Sequence, residues 1–386
     1  MQNNKTDRKF MIQALEAAST GRGRTGTNPL VGACLVKEGQ LLGVAAHEEF
    51  GAAHAEARLL EEHKGSAAGA DLYCTLEPCV HTGKRPPCLP LVVESGVSRV
   101  ILAHTDPDPR VAGRGMRGLL EAGIEVVHPV LREEYRRLNR RYFYNRGCGL
   151  PWVEVKLALS ADGYIASSTH DSQWLNSRPS REEVHRQRSR ADGVMVGGNT
   201  VRKDDPELTV RHVETEVQPT AIVVSAHPET IPSDTYLLND RAKETIMVIP
   251  ASTSEDWRRE ISGRGVRLLK FELYGNRFNF REVLEGLAGE NIGCIYVEGG
   301  GGLAGSLVEA DLVNELHLFY CGKILGGGIK SFNMSSQIEK VNRAPEASPV
   351  EHRRLNGDIY VRRLFRRPLV EAGLIDVYQE MTGGVN

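Results

Sequence analysis

The stretch Leu72-Tyr-Cys-Thr-Leu-Glu-Pro-Cys-Val-His-Thr-Gly-Lys-Arg-Pro-Pro-Cys88, together with His54-Ala-Glu56 upstream, indicates what the first part of the chain is built to hold. These two segments supply one imidazole (His54), two thiols (Cys79 and Cys88) and one carboxylate (Glu56). One histidine and two cysteines are the protein ligands of a zinc site that keeps its fourth position open. The segments therefore predict a zinc centre, with Glu56 beside it and not bound to it.

The order of these residues favours a catalytic site. In zinc deaminases that act on nucleobases, His-x-Glu is followed by Pro-Cys-x-x-Cys, and the glutamate carries protons. Pro78 precedes Cys79 as in that signature, but eight residues separate Cys79 from Cys88, not two. The alternatives are a packed core and a structural zinc site, which would need a fourth ligand from Glu56, His81 or Cys74.

Composition limits the other classes of function. With 386 residues, of which 40% are hydrophobic, the chain exceeds a single ordinary core and predicts two domains. A net charge of −2 and a pI near 6.7 predict no affinity for nucleic acid or for anionic membranes. The sequence has no apolar run of about 18 residues and no apolar signal-peptide core at its start, so a cytoplasmic enzyme is expected.

The pattern of apolar residues predicts alternating helices and strands in the first part of the chain. A helix is expected at 8–20 and another at 89–96, and strands are expected at 30–36, 41–46, 71–76, 99–103 and 124–127. This alternation is typical of an α/β sheet covered by helices on both faces. Both ligand segments then fall at helix starts that follow strands, which is a common location for a site in such sheets.

The arginine-rich segment 131–146 predicts one linker helix. Its arginines are interpreted as the solvated face of that helix, and a nucleic-acid surface is the alternative. Glycine and proline at 147–151 mark a boundary. We expect one domain at 1–147, a second domain at 148–366 and a tail of unknown role at 367–386.

The second part of the chain shows a new α/β alternation and one glycine cluster. Gly300-Gly-Gly-Leu-Ala-Gly305 follows the strand-like Cys294-Ile-Tyr-Val-Glu298 and matches Gly-x-Gly-x-x-Gly. Such a turn lets backbone N–H groups approach a pyrophosphate. It lies late in its domain for a Rossmann fingerprint, and a tight turn in a buried sheet is the alternative.

Longer motifs in the first half resemble one family closely. Thr75 to Cys88, Asn28-Pro-Leu-Val-Gly-Ala33 and Asp106-Pro-Asp-Pro-Arg-Val-Ala-Gly-Arg-Gly115 are similar to the deaminase half of the bifunctional pyrimidine deaminases/reductases of riboflavin biosynthesis. The resemblance implies a cytidine-deaminase-like fold in α/β/α layers. Thr27 and Asp108 depart from the family, which usually has proline and asparagine there.

The resemblance also implies roles for residues of this half. Zinc ligands would be His54, Cys79 and Cys88, and Glu56 would carry the proton from water to the leaving amine. Contacts to the pyrimidine or its ribose phosphate would come from Asn28, His47 and Lys84.

Motifs in the second half are similar to the reductase half of the same family, in the same order. They are Lys156-Leu-Ala-Leu-Ser-Ala-Asp-Gly163, Ser172-Gln-Trp174, Gly198 to Arg211 and Val297-Glu-Gly-Gly300. The resemblance implies an α/β fold like that of dihydrofolate reductase. The implied NADPH-binding residues are Ala158, Trp174, Thr200, Asp204, Ser225, Gly300, Gly301, Gly302, Leu303, Ala304, Gly305 and Ser306. The implied substrate-binding residues are Lys156, Ser172, Arg188, Leu208, Arg211 and Glu298.

Within this set, residue chemistry supports some of the roles. The guanidinium groups of Arg188 and Arg211 suit a 5′-phosphate. Lys156 and Asp204 are candidate polar groups near the ring-opened ribose.

The chain is accordingly expected to be a bifunctional enzyme with one Zn²⁺ per chain and with NADPH. It would act on small phosphoribosyl pyrimidines, without nucleic-acid or membrane partners, and a homo-oligomer is left open. Two rival hypotheses are a tRNA deaminase that binds through 131–146 and a non-catalytic metal-binding protein. The first predicts salt-dependent RNA binding; the second would have no use for Glu56.

Overall fold

The computed structural model describes the backbone of residues 2–83 and 85–383, and the side chains from residue 5 onward within those ranges. The chain divides into two compact units, Met1–Arg146 and Gly147–Asn386, which we call the N-terminal and C-terminal units. Lys84, a predicted substrate contact, lies outside the described residues.

The N-terminal unit alternates helices and strands, as predicted. Its helices are α1 (Gln2–Ser19), α2 (Ala55–Glu62), α3 (Cys88–Glu94), α4 (Arg114–Glu121), α5 (Arg132–Leu138) and α6 (Arg140–Cys148), the last of which runs past the division. Its strands are β1 (Gly32–Lys37), β2 (Gln40–Ala46), β3 (Asp71–Leu76), β4 (Arg99–His104) and β5 (Glu125–Val127). They form one sheet in the order β2-β1-β3-β4-β5.

In this sheet β1 runs antiparallel to β2 and β3, whereas β3, β4 and β5 are parallel. The central strands β1, β3 and β4 are buried almost throughout, which is expected where both faces of a sheet are covered. Gly32 of β1 shows how closely α1 packs, because a Cβ there would lie 2.0 Å from the carbonyl oxygen of Ala14. Only glycine fits this crossing.

The prediction of one helix at 131–146 is wrong. The segment forms α5 and α6, and the break lies at Asn139. The side chain of Asn139 is buried; its Oδ1 accepts from the Leu30 N–H at 2.7 Å and its Nδ2 donates to the Leu30 carbonyl at 3.0 Å. An asparagine that satisfies a distant backbone in this way favours a break in the helix. Arg140 is also buried, so the arginines do not all belong to a solvated face.

The C-terminal unit contains a nine-stranded sheet in the order β11-β10-β9-β8-β14-β6-β15-β18-β17. Its strands are β6 (Trp152–Leu159), β8 (Gly193–Gly197), β9 (Thr220–Val224), β10 (Thr245–Pro250), β11 (Arg267–Phe271), β14 (Cys294–Val297), β15 (Glu315–Tyr320), β17 (Ala347–Leu355) and β18 (Asp358–Phe365). The short strands are β7 (Tyr164–Ala166), β12 (Leu273–Tyr274), β13 (Arg277–Phe278) and β16 (Ile329–Lys330).

The strands from β11 to β15 in this order are parallel, and the edge formed by β18 and β17 is antiparallel. The helices are α7 (Arg178–Arg188), α8 (Gly198–Asp204), α9 (Glu255–Gly263), α10 (Phe280–Gly289), α11 (Gly301–Glu309), α12 (Arg366–Glu371) and α13 (Ile375–Thr382). One apolar core cluster contains the inward residues of β8, β9 and β10, among them Val194, Val223 and Met247.

The C-terminal segment, to which the sequence assigned no role, is helical and packed. Leu369 of α12 and Val377 of α13 are fully buried. The hydroxyl of Tyr378 lies 2.7 Å from that of Ser348 in β17. This segment therefore covers part of the antiparallel edge. Within the described residues, no helix has both the length and the apolar character needed to cross a membrane.

Candidate active sites

The three predicted zinc ligands come together. His54 is the residue that precedes α2, Cys88 is the first residue of α3, and Cys79 follows β3. The Nδ1 atom of His54 lies 3.2 Å from the Sγ of Cys88 and 3.5 Å from the Sγ of Cys79. These separations agree with the edges of a tetrahedron built from metal–N bonds of about 2.0 Å and metal–S bonds of about 2.3 Å. The donor set and its spacing thus fit a zinc ion with an open fourth position.

The two thiols share protons unequally. Because Cys88 donates a hydrogen bond to Cys79, the pKa of Cys79 is lowered, and the pKa of Cys88 is raised by the same contact and by burial. His54 adds to the lowering at Cys79. One ligand is thereby prepared as a thiolate, which is the form that binds metal.

Glu56 lies in the first turn of α2, and only 3% of its surface is exposed. Burial raises the pKa of this carboxyl group above its usual value. A glutamate with a raised pKa accepts a proton more readily than an exposed one, as a general acid–base group must. The position and the titration of Glu56 suit a proton carrier beside the metal ligands.

The predicted residues Asn28 and His47 line the same pocket as Glu56 and two of the ligands, His54 and Cys79. The side-chain nitrogen of Asn28 lies 3.3 Å from the Nε2 of His47, whose Nδ1 lies 3.2 Å from the Ala53 carbonyl oxygen. Burial lowers the pKa of His47, so its ring is neutral at physiological pH. The pair offers directed hydrogen bonds without a net charge.

Glu77 is a functional residue that the sequence reasoning missed. Its Oε1 accepts from the backbone N–H groups of Asp106 at 2.8 Å and Gly113 at 2.7 Å, and its Oε2 accepts from Met116 at 3.1 Å. At Gly115 a Cβ would lie 2.1 Å from the carbonyl oxygen of Pro78. The residue before the Pro-Cys pair therefore fastens the loop 106–116 to the metal segment. Its place in the Glu-Pro-Cys motif was the available signal.

The loop 106–116 brings charge to the pocket. Asp108, which departs from the family, is paired with Arg110 through several hydrogen bonds, the shortest of which joins Nη2 to Oδ2 at 2.6 Å. These bonds lower the pKa of Asp108 to about 2. Arg146 lies 3.8 Å from the same carboxylate. Asp106, Asp108, Arg110 and Arg146 all line the pocket, so carboxylates and guanidinium groups stand together on this side of it.

In the C-terminal unit, three predicted substrate residues meet across β6, β14 and α7. Arg188 donates two hydrogen bonds to Glu298, one of them from Nη2 to Oε2 at 3.0 Å, and its Nη1 donates to the Thr209 carbonyl at 2.7 Å. The Nζ of Lys156 lies 3.9 Å from Glu298. Arg188 is therefore bound to a carboxylate in the structure. Its predicted phosphate contact remains a prediction.

The pKa values of Glu298 and Lys156 are set by burial and by their charged neighbours. Burial by itself would raise the pKa of Glu298, but the neighbouring Arg188 outweighs it and the pKa is lowered. Burial lowers the pKa of Lys156, against the attraction of Glu298. The cluster thus holds an ionised carboxylate next to an ammonium group that gives up its proton more readily than an exposed lysine.

Arg211 and Leu208 lie near this cluster in different settings. The Arg211 side chain is 45% exposed and pairs with Glu207 at 2.6 Å, so it can turn toward a ligand. Leu208 is 3% exposed and belongs to the apolar core cluster, with a left-handed φ of 52°. Its side chain therefore faces the core, and its backbone is the part available to a substrate.

Half of the predicted cofactor residues line one groove at the ends of β8, β9 and β14. They are Thr200, Ser225, Gly300, Gly302, Leu303 and Ser306. Polar side chains in the same groove include Arg202 and Arg277. A groove that joins a glycine-rich helix start to cationic side chains fits a dinucleotide with phosphate groups.

The remaining predicted cofactor residues do not line this groove, namely Ala158, Trp174, Asp204, Gly301, Ala304 and Gly305. A Cβ at Gly301 would lie 2.3 Å from the Lys330 carbonyl oxygen, and one at Gly305 would lie 2.5 Å from that of Asn333. These two glycines permit close packing of the chain. Burial raises the pKa of Asp204.

Trp174 and Ser172 belong to an open loop. The Trp174 side chain is 62% exposed, and the guanidinium carbon of Arg181 lies 4.5 Å from its ring centroid. Ser172 is exposed as well. Both residues are thus accessible to a ligand, and their predicted contacts remain predictions.

Comparison with known proteins places both halves. Residues 4–104 match the cytidine and deoxycytidylate deaminase zinc-binding region, and residues 151–361 match the RibD C-terminal domain. The riboflavin biosynthesis protein RibD of Bacillus amyloliquefaciens is 39% identical over 318 residues, covering 82% of this chain and 85% of that protein. RibD of Escherichia coli strain K12 is 33% identical over 365 residues, covering 92% of this chain and 98% of that protein.

Solved structures agree. RibD of Acinetobacter baumannii superimposes with a TM-score of 0.85 at 28% identity, covering 94% of this chain and 99% of that one. A diaminohydroxyphosphoribosylaminopyrimidine deaminase/5-amino-6-(5-phosphoribosylamino)uracil reductase of Thermotoga maritima gives 0.82 at 30% identity, with coverage of 94% and 99%. The predicted fold class, with a cytidine-deaminase-like domain before a reductase domain, is confirmed. This chain belongs to the RibD family of riboflavin biosynthesis proteins, in which a zinc-dependent deaminase is joined to a reductase that uses NADPH.

Proposed function

We propose that the N-terminal unit hydrolyses the C2 amino group of 2,5-diamino-6-(5-phosphoribosylamino)pyrimidin-4-one. The C-terminal unit then reduces the ribosyl side chain of 5-amino-6-(5-phosphoribosylamino)uracil to ribityl. The observation that carries the first assignment is the convergence of His54, Cys79 and Cys88 beside the buried carboxyl of Glu56. Family membership supports both reactions.

In the deaminase, His54, Cys79 and Cys88 would hold zinc, which when bound activates water for attack on the ring carbon. Glu56 takes the proton of that water on its carboxylate and delivers it to the departing nitrogen. The oxygen of water replaces the amino group, and ammonia leaves. A carboxyl with a raised pKa is suited to both halves of this transfer.

The substrate is oriented by the pocket walls. Asn28 and the neutral ring of His47 offer hydrogen bonds to the pyrimidine. Arg110 and Arg146, at the loop end of the pocket, are positioned for the anionic phosphate. A small, polar pocket of this kind suits a free phosphoribosyl pyrimidine.

In the reductase, NADPH when bound would supply the hydride that reduces a carbon of the ring-opened sugar. We assign Lys156 to hold or donate the proton that the sugar oxygen needs, because burial lowers its pKa. Glu298, kept ionised by Arg188, orients Lys156. Thr200, Ser225 and the glycine-rich start of α11 would line the cofactor, and Arg211 would reach the phosphate of the substrate.

Both activities can be followed in one tube. The purified chain is given the diaminopyrimidine substrate with and without NADPH, and ammonia release and NADPH absorbance are recorded. We expect ammonia in both samples and NADPH oxidation only after deamination. If the wild-type chain released no ammonia, or if Glu56→Ala released as much as the wild type, the deaminase proposal would fail. A state of assembly beyond the single chain stays a prediction.

A further inference from the structure

A second group of metal-ligand side chains lies inside the sheet of the C-terminal unit. Glu154 of β6 and Glu315 and His317 of β15 place one ligand atom each within 4.8 Å of the others. At most 1% of each residue is exposed. None of the three residues belongs to the reductase site described above.

The sheet itself brings these residues together. Glu154 and Glu315 are Cα partners in the parallel pairing of β6 with β15, and His317 follows Glu315 by two residues. Side chains two residues apart in a strand point to the same face, as do those of paired residues. The arrangement is thus set by backbone register and not by flexible loops.

The distances fit a metal ion. The Nε2 of His317 lies 3.5 Å from Oε2 of Glu154 and 3.6 Å from Oε2 of Glu315. Metal–N and metal–O bonds of about 2.0–2.2 Å give tetrahedral edges of roughly 3.3–3.6 Å. The spacing resembles that of His54 with its two thiols, where the edges are 3.2 and 3.5 Å.

The imidazole is prepared as a ligand. Its Nδ1 lies 2.9 Å from the hydroxyl of Tyr360 in β18, whose oxygen can accept the Nδ1 proton. That tautomer leaves a lone pair on Nε2, and metal-binding histidines commonly have such a partner behind them. Among the residues the structure describes, Nε2 has no hydrogen-bond partner although it is buried and faces both carboxylates.

Charge points in the same direction. Arg362 donates from Nη1 to Oε2 of Glu315 at 3.1 Å, so one cation already serves that carboxylate. Arg362 also acts electrostatically on Glu154. A divalent ion would add positive charge between the two buried carboxylates, and carboxylates with one imidazole suit first-row transition metals.

We propose that Glu154, Glu315 and His317 form a second metal site, which takes a divalent transition-metal ion such as Zn²⁺ and stabilises the reductase sheet. The metal ion would hold β6 and β15 together. Glu154 lies two residues before Lys156 in β6, and Lys156 is the Cα partner of His317. Its role is structural, because the donors lie inside the sheet.

The test uses a full-length chain in which the first site is disabled, Cys79→Ser/Cys88→Ser. After reconstitution with Zn²⁺ and dialysis, metal content is measured by mass spectrometry and the ligands by X-ray absorption. We expect about one zinc per chain, with nitrogen and oxygen ligands only. Adding His317→Ala should lower the content at least tenfold, whereas adding the control Tyr296→Phe should leave it unchanged. Tyr296 lies beside His317, with ring centroids 5.5 Å apart, and this change removes only a hydroxyl.

Folding is checked separately by NADPH-dependent reductase activity, and Glu154→Gln replaces His317→Ala if the latter fails to fold. A folded Cys79→Ser/Cys88→Ser chain that binds no zinc would overturn the proposal. Zinc content that stays near one per chain in both His317→Ala and Glu154→Gln would overturn it as well. The Cys79→Ser/Cys88→Ser chain should lack deaminase activity, and this loss does not affect what the zinc content shows about the second site.

Discussion

The two active sites differ in where their residues come from and in how their charge is balanced. In the N-terminal unit, three metal ligands and Glu56 lie between residues 54 and 88 and surround one position. In the C-terminal unit, Lys156, Arg188 and Glu298 come from three distant segments, and both cations already pair with the one carboxylate.

The first site therefore needs a bound cation, whereas the second site contains cationic side chains. At the first site the pKa of Cys88 is raised, so this thiol holds a proton that a metal must displace, whereas the pKa of Cys79 is lowered. The ion pairs of the second site are formed before any ligand enters. We therefore expect the first site to respond most to loss of a proton carrier or a metal, and the second to respond to changes in charge.

The largest effect is expected for Glu56→Gln. This change keeps the shape of the side chain but removes the proton-accepting carboxylate, so deaminase kcat should fall roughly 10²–10⁴-fold, the usual range for loss of general acid–base catalysis. Reductase activity, assayed with the deaminated product and NADPH, should stay at the wild-type level. Ammonia release at more than a tenth of the wild-type rate would remove Glu56 from its assigned role.

Glu77→Ala should give the next largest effect. The change leaves three backbone N–H groups of the loop 106–116 without their acceptor. At about 1–3 kcal/mol for each buried unpaired group, softened by entry of water, the N-terminal unit should lose roughly 3 kcal/mol of stability. Chemical denaturation measures this loss.

A matched variant sharpens the Glu77 result. Glu77→Gln retains one carbonyl oxygen as an acceptor and should lose clearly less stability than Glu77→Ala. Equal stability of the two variants and the wild type would show that the loop is held by other contacts. Neither variant should change reductase activity.

Arg188→Lys tests the charge balance of the second site. Lysine keeps the positive charge but cannot make the paired hydrogen bonds that Arg188 donates to Glu298. We expect kcat/KM of the reductase to fall about 10–100-fold, since a charged pair loses roughly 1.5–3 kcal/mol when its hydrogen bonds are lost. Arg178→Lys on the exposed start of α7 is the control, and equal kinetics for both variants would argue against a role of the bidentate pair.

The smallest effect is expected from pH. Burial lowers the pKa of His185 to about 4, from an ordinary value of 6.5. Between these values the unfolded chain binds the proton and the folded chain does not, so the contribution of His185 to stability is complete above about pH 6.5 and is lost as the pH falls toward 4. Between pH 6.5 and pH 5 the loss should be on the order of 2 kcal/mol, given about 1.4 kcal/mol per pH unit in this window.

Denaturation of the wild type and of His185→Gln at pH 7 and pH 5 measures this contribution. The variant should lose less stability between the two pH values than the wild type does. Parallel losses would show that His185 is not the group responsible. The Arg211 N–H, which donates to the Nδ1 of His185 at 3.1 Å, explains why the neutral ring is favoured.

Sequence alone predicts the first site well because its residues lie in contiguous motifs. His54, Glu56, Cys79 and Cys88 are ordered by a short helix start and a strand end, so local pattern and spatial proximity coincide. The prediction of one helix at 131–146 is wrong and Glu77 was missed, because both depend on contacts between residues far apart in the sequence. Asn139 breaks a helix to bind Leu30, and Glu77 binds a loop about 30 residues later, and neither contact leaves a periodic signal.

The second site is less accessible to pattern reasoning for the same physical reason. Arg188 and Glu298 are paired by a sheet that assembles segments more than a hundred residues apart. The sequence predicts Arg188 as a phosphate ligand, whereas in the structure its guanidinium binds the carboxylate of Glu298. Gly305 is the last glycine of the Gly-x-Gly-x-x-Gly match and Gly301 lies within it, yet both accommodate neighbouring backbone.

The attachment of the loop 106–116 through Glu77 sets the distance between the two ends of the deaminase pocket. One carboxylate ties the arginine-bearing wall to the segment that carries Cys79, so the span between metal and phosphate positions is fixed by the backbone. A pyrimidine whose phosphate lies one bond nearer or farther would have to strain either its ring or its phosphate contact. Substrates of different length can then be discriminated without an additional side chain, because the attachment of the loop by Glu77 sets the distance between the two ends of the pocket.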